Sequence, residues 1–463
     1  MAYQLDLSEI RINFKFTESS VRHNPNKRTR FLPYTSKFNE NKLKDFSQVI
    51  GEFFRLIEAK KPISQIDLDE TLKKVLMRVS FDNEVHKDYF VRIVRSCFLT
   101  DDNQLYHFHP YIFLYLNSDP DNKKLANFLY DVLFHNTNKN DNKFCMNFEP
   151  NDVLSKLIFE ALPKLDEYRI NDGQTFSSVL PQISMLFMKD FVWLLSNSSL
   201  FVDHIEKLLK YYYFFYVSQF SLMCQRFLND EDQKIVPVFF NLEWESISHN
   251  RISYEKGWKI LETPISTLFS HINCLEFLNH HNQGSKVYFY NDISRLIRDI
   301  NSLEREQLEG QLNKLMDEYS SALKDVNWDG FKYKNIYNDS IKDQIYKFYK
   351  MIDFQFNQVN SRKSQYNRYQ EWFVSFCQRN FIKLRGRLGR TLNMNAEYLL
   401  FFTKMIIKNE PKIRLKSLFE GFAQRGVLFD RDTQNYIVKY FEAINIIEKK
   451  SDSGDAIYVK SFL

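Results

Sequence analysis

The sequence predicts a mainly α, multidomain protein: a small N-terminal α/β part, a central helical domain with a long helical hairpin, and a C-terminal winged helix. Three observations carry this. Apolar residues recur at helical spacing over most of the 463 residues, with only 11 Gly and 11 Pro to interrupt them. Strand-like patterns are short and few. The residues from Asn395 to Leu463 fall in the order helix, strand, helix, helix, hairpin, which is winged-helix order. Composition and motifs divide the chain into an N-terminal α/β domain over 1–140, a helical domain over 141–390 and a winged-helix domain over 391–463.

Near the start, Ile10, Ile12, Phe14 and Phe16 alternate with Arg11, Asn13 and Lys15, a period of two that predicts a strand at the edge of a small sheet. Arg22 to Arg30 is basic and holds no apolar residue, so it reads as a loop, either solvated or touching phosphate. Lys44 to Glu58 predicts a helix burying Phe46, Val49, Ile50, Phe53, Phe54 and Ile57. Further helices are expected from Ile66 to about Leu116. His107-Phe108-His109 and His280-His281 invite a metal, but neither has a second His or Cys pair at ligand spacing, so no metal is expected.

His135 to Asn147 is polar and rich in Asn, an expected loop or boundary. Helical patterns follow over Asp152–Leu165, Pro181–Ser196, Phe201–Leu228 and Pro264–Leu278, with a strand-like run at Ile235–Leu242. Val179 to Leu228 is the most membrane-like region. Its uncharged runs fall short of the roughly 18 to 20 residues that a span needs, so it is expected to be the interior of a helical domain and no membrane partner is expected.

Asp292 to Leu323 aligns Ile293, Leu296, Ile297, Ile300, Leu308, Leu312, Leu315 and Tyr319 on one stripe, and Ile341, Ile345, Phe348, Ile352, Phe356 and Val359 form a matching one after a turn at Trp328-Asp329-Gly330. The two predict a helical hairpin, with an intermolecular coiled coil as the alternative. The helical pattern of Tyr366 to Arg390 ends in Arg379, Lys383, Arg385, Arg387 and Arg390 around Gly386 and Gly389. Two glycines that let a backbone approach closely, among guanidinium groups, suit a segment tracking phosphates; a basic helix end favoured by the helix dipole is the alternative.

In the last domain Asn395 is placed to cap a helix bearing Leu399, Phe402, Thr403 and Ile406, which Pro411 stops. Lys412 to Arg414 suits a one-rung strand. Leu415, Leu418, Phe419 and Phe422 make the next helix, closed by Gly426. A third helix is capped by Asp430 or Asp432 and buries Ile437, Val438, Phe441 and Ile444. Its outward face holds Arg431, Asp432, Asn435, Lys439, Glu442 and Ala443, and Asn435 is its best candidate for a base edge. Ile446–Lys450 and Ala456–Lys460 flank a Gly- and Asp-rich turn. Double-stranded DNA is therefore the expected partner, touched through Arg385, Arg387, Arg390, Arg431, Asn435, Lys439, Lys449, Lys450 and Lys460. A winged helix used only for protein docking is the alternative.

Charge is segregated: 331–463 carries 24 Lys and Arg against 13 Asp and Glu, while the preceding 330 residues carry 39 against 45, within a total of +5. The basic end suits a polyanion and leaves the other end for a different partner. The five cysteines are far apart and lie in or beside apolar segments, as buried thiols of a reducing compartment would. Met1 to Ile10 has no basic run before an apolar one, so no secretory signal is expected, and a cytoplasmic location follows.

Neither G-x-x-x-x-G-K-[ST] nor G-x-G-x-x-G occurs, and there is no G-x-S-x-G, H-E-x-x-H or paired C-x-x-C. Neither cofactor nor catalysis is expected. Glu448-Lys449-Lys450 is a lone E-x-K without an upstream acid at a strand end.

The segment Ile447 to Lys460 resembles the closing segment of DptG proteins, as does Arg425-Gly426-Val427-Leu428-Phe429-Asp430, and Leu32 to Tyr34 is compatible. These are bacterial DNA phosphorothioation-dependent restriction proteins. The resemblance implies a subunit that is not an ATPase, acting with DptF and DptH in anti-phage defence against DNA lacking the sulfur-modified backbone. Nucleotide and cutting chemistry would then belong to partners, among them a P-loop ATPase. A stand-alone transcriptional regulator is the competing expectation.

Overall fold

A computed structural model describes all residues except 1, 24–26, 36, 38–42, 44–45, 64–65, 100–108, 135–149, 151, 168–175, 230–233, 450–456 and 463, with the side chains of 198 and 199 also left aside. The chain is mainly helical. It divides into two compact units. One comprises Met1–Glu40, Phe176–Leu180 and Phe214–Leu463, and the other Asn41–Thr175 and Pro181–Tyr213.

The first helix, α1 (Leu7–Asn13), stands where a strand was expected. Asp6 caps it by accepting from the Glu9 amide at 2.9 Å. Ile10 and Phe14, four residues apart, face inward, and Ile12 is 74% exposed. The same apolar residues satisfy a helical period as well as an alternating one, and the cap decides between them. Among the described residues of 1–140 the named elements are helices, with β-bridges at Leu5 (to His281), Lys60 (to Glu167) and Leu99.

The second unit follows with α2 (Ser47–Glu58), α3 (Leu68–Leu76), α4 (Glu84–Phe98), α5 (Pro120–Leu129), α6 (Val153–Ala161), α7 (Pro181–Leu195) and the first half of α8 (Ser198–Arg226). Its core is aromatic. Phe53 meets Phe187 and Phe191 edge-on with ring centroids 6.2 and 6.3 Å apart. A buried arginine, Arg55, holds this unit's turns: it pairs with Glu52 at 2.6 Å and donates to the carbonyls of Leu114 and Leu116. Cys97 on α4 is exposed, against expectation, while Cys224, Cys274 and Cys377 are buried. Cys145 and His107 lie outside the described residues, as does the Asn-rich stretch 135–147. No helix among the described residues is long and apolar enough to cross a membrane.

The rest of the first unit runs through β1 (Val238–Phe239), β2 (Asn241–Leu242), α9 (Ile252–Glu255), α10 (Lys259–Ser266), α11 (Leu268–Leu278), α12 (Tyr290–Arg298), α13 (Ser302–Ala322), α14 (Ser340–Gln358) and α15 (Asn360–Asn380). Every residue of α11 is buried. A helix apolar on all sides belongs at a centre, and the polar side chains it carries must find partners there. Ser270 donates to Asp353 at 2.8 Å, and Glu276 accepts from the Thr29 hydroxyl at 2.6 Å and the Thr29 amide at 2.9 Å. Phe277 stacks on Phe14 at 3.6 Å.

The helix expected over 292–323 is two. The first stops at Arg298, and Asn301 starts the second: its side chain accepts from the Glu304 amide at 3.0 Å while Glu304 accepts from the Asn301 amide at 3.0 Å, a capping box. Helices α13 and α14 pack as a hairpin within the chain, Tyr319 meeting Phe348 at 5.3 Å and Arg305 bridging to Asp339 at 2.5 Å.

The chain closes with β3 (Ile382–Leu384), β4 (Arg390–Met394), α16 (Ala396–Ile407), β5 (Lys412–Arg414), α17 (Leu415–Gln424), β6 (Val427–Leu428), α18 (Arg431–Ala443), β7 (Ile447–Lys449) and β8 (Ile457–Lys460). Strand β8 lies between β5 and β7, antiparallel to both, with Ile413 opposite Val459 and Val459 opposite Ile447. Gly426 follows α17 with a φ of 78°, the left-handed conformation of a helix-closing glycine.

Candidate nucleic-acid interface

The arginine-rich segment is a β-hairpin, not a helix end. Helix α15 stops at Asn380, and β3 and β4 pair antiparallel with Leu384 opposite Arg390. The reversal depends on Gly386 and Gly389, at φ of 55° and 74°, conformations that side chains disfavour. Strand β4 also pairs in parallel with β2, setting Asn241 opposite Asn393.

The three arginines expected to contact DNA separate here into two kinds. Arg385 is bound into the fold: its guanidinium donates to the carbonyls of Leu242 (2.7 Å) and Glu245 (2.6 Å), to Asn393 Oδ1 (2.6 Å) and to Thr391 Oγ1 (3.3 Å). Burial holds its pKa below the usual arginine value. Four of its five N–H donors are therefore engaged, leaving little to offer a phosphate. Arg387 is exposed in the hairpin's turn and Arg390 is exposed on the rung next to it. Lys383, also exposed, donates to the Glu243 carbonyl at 2.7 Å.

The turn that follows β2 is thus gripped from one side by Arg385 and Lys383. From the other side it meets α18. Asp430 caps that helix, accepting from the Thr433 amide at 3.0 Å, and Thr433 donates to Glu245 Oε1 at 3.0 Å. Arg251 Nε donates to Asp430 Oδ2 at 2.9 Å, and Arg251 Nη2 donates to Thr433 Oγ1 at 2.7 Å. Burial alone would raise the Asp430 pKa, but the bonds from Arg251 and Thr433 outweigh it and hold the carboxyl well below its ordinary range. Burial raises the pKa of Glu245.

On α18 the buried residues are Thr433, Ile437 and Phe441, while Arg431, Asp432, Asn435, Lys439, Glu442 and Ala443 are exposed. Val438 is only half-buried and Ile444, expected inside, is 39% exposed, because the helix ends at Ala443 and Ile444 leaves its register. Sequence reasoning did not single out Tyr436, which is 37% exposed and lies beneath Lys439, its ring centroid 6.0 Å from the ammonium. Nor did it find Trp244, whose ring lies 5.2 Å from that of Tyr440. The signal available was a tryptophan flanked by Glu243 and Glu245, an apolar residue between charges.

Glu442 of α18 pairs with Lys449 of β7 at 2.6 Å, and Lys412 of β5 pairs with Glu448 of β7 at 2.6 Å. Glu448 therefore serves an ion pair across strands. Lys460 is half-buried on β8, and Lys450 lies outside the described residues. No family model matches the chain, and no curated protein does.

Among the described residues no three His, Cys, Asp or Glu side chains gather where they would hold a metal. His280 donates through Nδ1 to the Glu276 carbonyl at 2.7 Å, and His281 Nδ1 accepts from the Gln283 amide at 3.1 Å. His109 caps the turn at 110–115, accepting from the Tyr111 amide at 3.1 Å.

Proposed function

We propose that this chain is a non-catalytic DNA-binding and assembly subunit of a DNA phosphorothioation-dependent restriction complex, in which 395–463 is a winged helix. The observation that supports the DNA reading is the shared turn at 242–245, which is bonded by Lys383 and Arg385 of the hairpin that also bears Arg387 and Arg390, and by Thr433 of α18. The surplus of 24 basic over 13 acidic residues in 331–463 supplies a field of the right sign for phosphates. The resemblance of 425–430 and 447–460 to DptG proteins supports the restriction setting. That setting brings DptF- and DptH-like partners, a P-loop ATPase among them, duplex DNA without sulfur modification as the target, and the cytoplasm as the place of action.

In a helix-turn-helix the recognition helix presents its N-terminal residues to base edges. Here the corresponding end of α18 is anchored by Asp430 and Thr433 to Arg251 and Glu245, and Asp432 and Glu442 offset Arg431 and Lys439. Contacts would therefore be chiefly to phosphates, weakly selective and steeply dependent on salt. The same anchoring favours a second reading, in which the winged helix docks protein.

Co-expression with the neighbouring restriction proteins, followed by size exclusion and by titration with labelled duplex DNA over a salt series, tests both halves. A chain that elutes alone in every combination would remove the assembly role. Failure to retain duplex DNA at low salt would remove the DNA role.

A further inference from the structure

Of the chain's five tryptophans, Trp258, Trp193 and Trp372 are buried and Trp328 is half-buried, whereas Trp244 is 44% exposed. Exposed indole on a loose loop would mean little. This one is held on a turn bonded at three carbonyls and a carboxylate oxygen: the carbonyls of Leu242 and Glu245 accept from Arg385, that of Glu243 accepts from Lys383, and Glu245 Oε1 accepts from Thr433. The ring is backed by Tyr440 at 5.2 Å, and Tyr436, one turn earlier on α18, adds a second exposed ring under Lys439.

Rigid aromatic faces interleaved with cations are what an unpaired base and its phosphates require, because every base offers a π-face and stacking tolerates any sequence. A duplex hides those faces. Glu243, Asp432 and Glu442 also border this ridge. Glu442 is neutralised by Lys449 at 2.6 Å, and Asp432 lies 3.6 Å from Arg251.

We propose that Trp244, with Tyr440 and Tyr436, is a stacking platform for unpaired bases, so that this face binds single-stranded DNA in addition to phosphates of a duplex. The proposal rests on the DNA-binding reading above and deepens it.

The test is fluorescence anisotropy of the full chain with labelled oligothymidylate and, separately, with a blunt duplex. Trp244→Ala should weaken oligothymidylate binding by about ten-fold or more, the size expected for one stacked base, and leave the duplex affinity within two-fold or so. Trp244→Phe should recover most of the loss, and circular dichroism should report an unchanged fold for both. If the wild-type chain binds both DNAs and Trp244→Ala weakens neither, the platform is overturned while the DNA reading stands. If the wild type binds neither, both fall together. Should Trp244→Ala abolish co-elution with a protein partner and leave oligothymidylate binding intact, the ridge is a protein-docking face and the proposal is wrong.

Discussion

Arg251 and Asp430 form a two-point ion pair, Nε to Oδ2 at 2.9 Å and Nη2 to Oδ1, with side chains less than a tenth exposed. This pair joins the N-cap of α9 to the N-cap of α18, so it helps fix the orientation of the exposed face on which any contact through that helix depends.

Replacing Arg251 by Ala should cost about 3 to 5 kcal/mol, because it strands the buried Asp430 and Glu245 carboxylates together rather than merely deleting a contact. Urea denaturation measures it. A loss below about 1 kcal/mol would mean that water reaches the pair and screens it.

Acid should weaken the first unit before carboxylates titrate. Burial, aided by Arg362, pushes the His23 pKa down to about 3, and burial aided by Lys350 pushes His271 to about 3. His23 Nε2 lies 2.7 Å from the Tyr319 hydroxyl and His271 Nδ1 lies 3.1 Å from that of Tyr290. Both imidazoles are neutral in the fold, whereas in the unfolded chain they take up protons below about 6.5. Stability is therefore complete above that value and falls as pH drops from about 6.5 towards 3, by up to about 1.4 kcal/mol per pH unit for each histidine. Denaturation midpoints at pH 7, 6, 5 and 4 should fall steadily, and His23→Phe should flatten the decline. A flat profile down to pH 4 would contradict it.

Two glycines should respond with opposite sign to Ala. At Gly426 a Cβ would collide with the Phe215 ring at Cε2, and the φ of 78° adds strain, so Gly426→Ala should destabilise by roughly 2 kcal/mol or more. Gly310 sits inside α13 with nothing within 4 Å of its Cβ position, so Gly310→Ala should stabilise by about 0.5 to 1 kcal/mol. Melting temperatures of the two variants should move in opposite directions; equal shifts would refute the packing around Phe215.

The C-terminal element order was legible because each boundary carries its own chemical marker: Asn395 and Asp430 as caps, Gly426 as a left-handed stop. Where two periods fit the same residues, as at Ile10 and Phe14, pattern alone chose wrongly, and Asp6 was the overlooked arbiter. Asn301 with Glu304 was an equally readable capping box inside a stripe that looked continuous. The role of Arg385 was not legible at all. Its four acceptors come from 242–245 and 391–393, and no local spacing announces a bond across some 140 residues of chain.

That difference between Arg385 and its neighbours gives the sharpest test of the interface. Arg387 and Arg390 are exposed, so replacing both by Ala should leave the melting temperature within a degree or so while reducing duplex affinity. The slope of log K against log salt should flatten by roughly 0.9 for each arginine that touches a phosphate, because fewer counterions are then released. Arg385→Ala should do the reverse. It takes the guanidinium donors from the carbonyls of Glu245 and of Leu242, the latter keeping only a long bond from the Glu245 amide at 3.4 Å, at about 1 to 3 kcal/mol for a group left stranded, and so lowers stability first. Any loss of DNA affinity should then follow from a displaced 242–245 turn and keep the wild-type salt slope. If the double variant keeps both affinity and slope while partner binding fails, the hairpin is a protein-docking edge and the phosphate assignment of Arg387 and Arg390 is wrong.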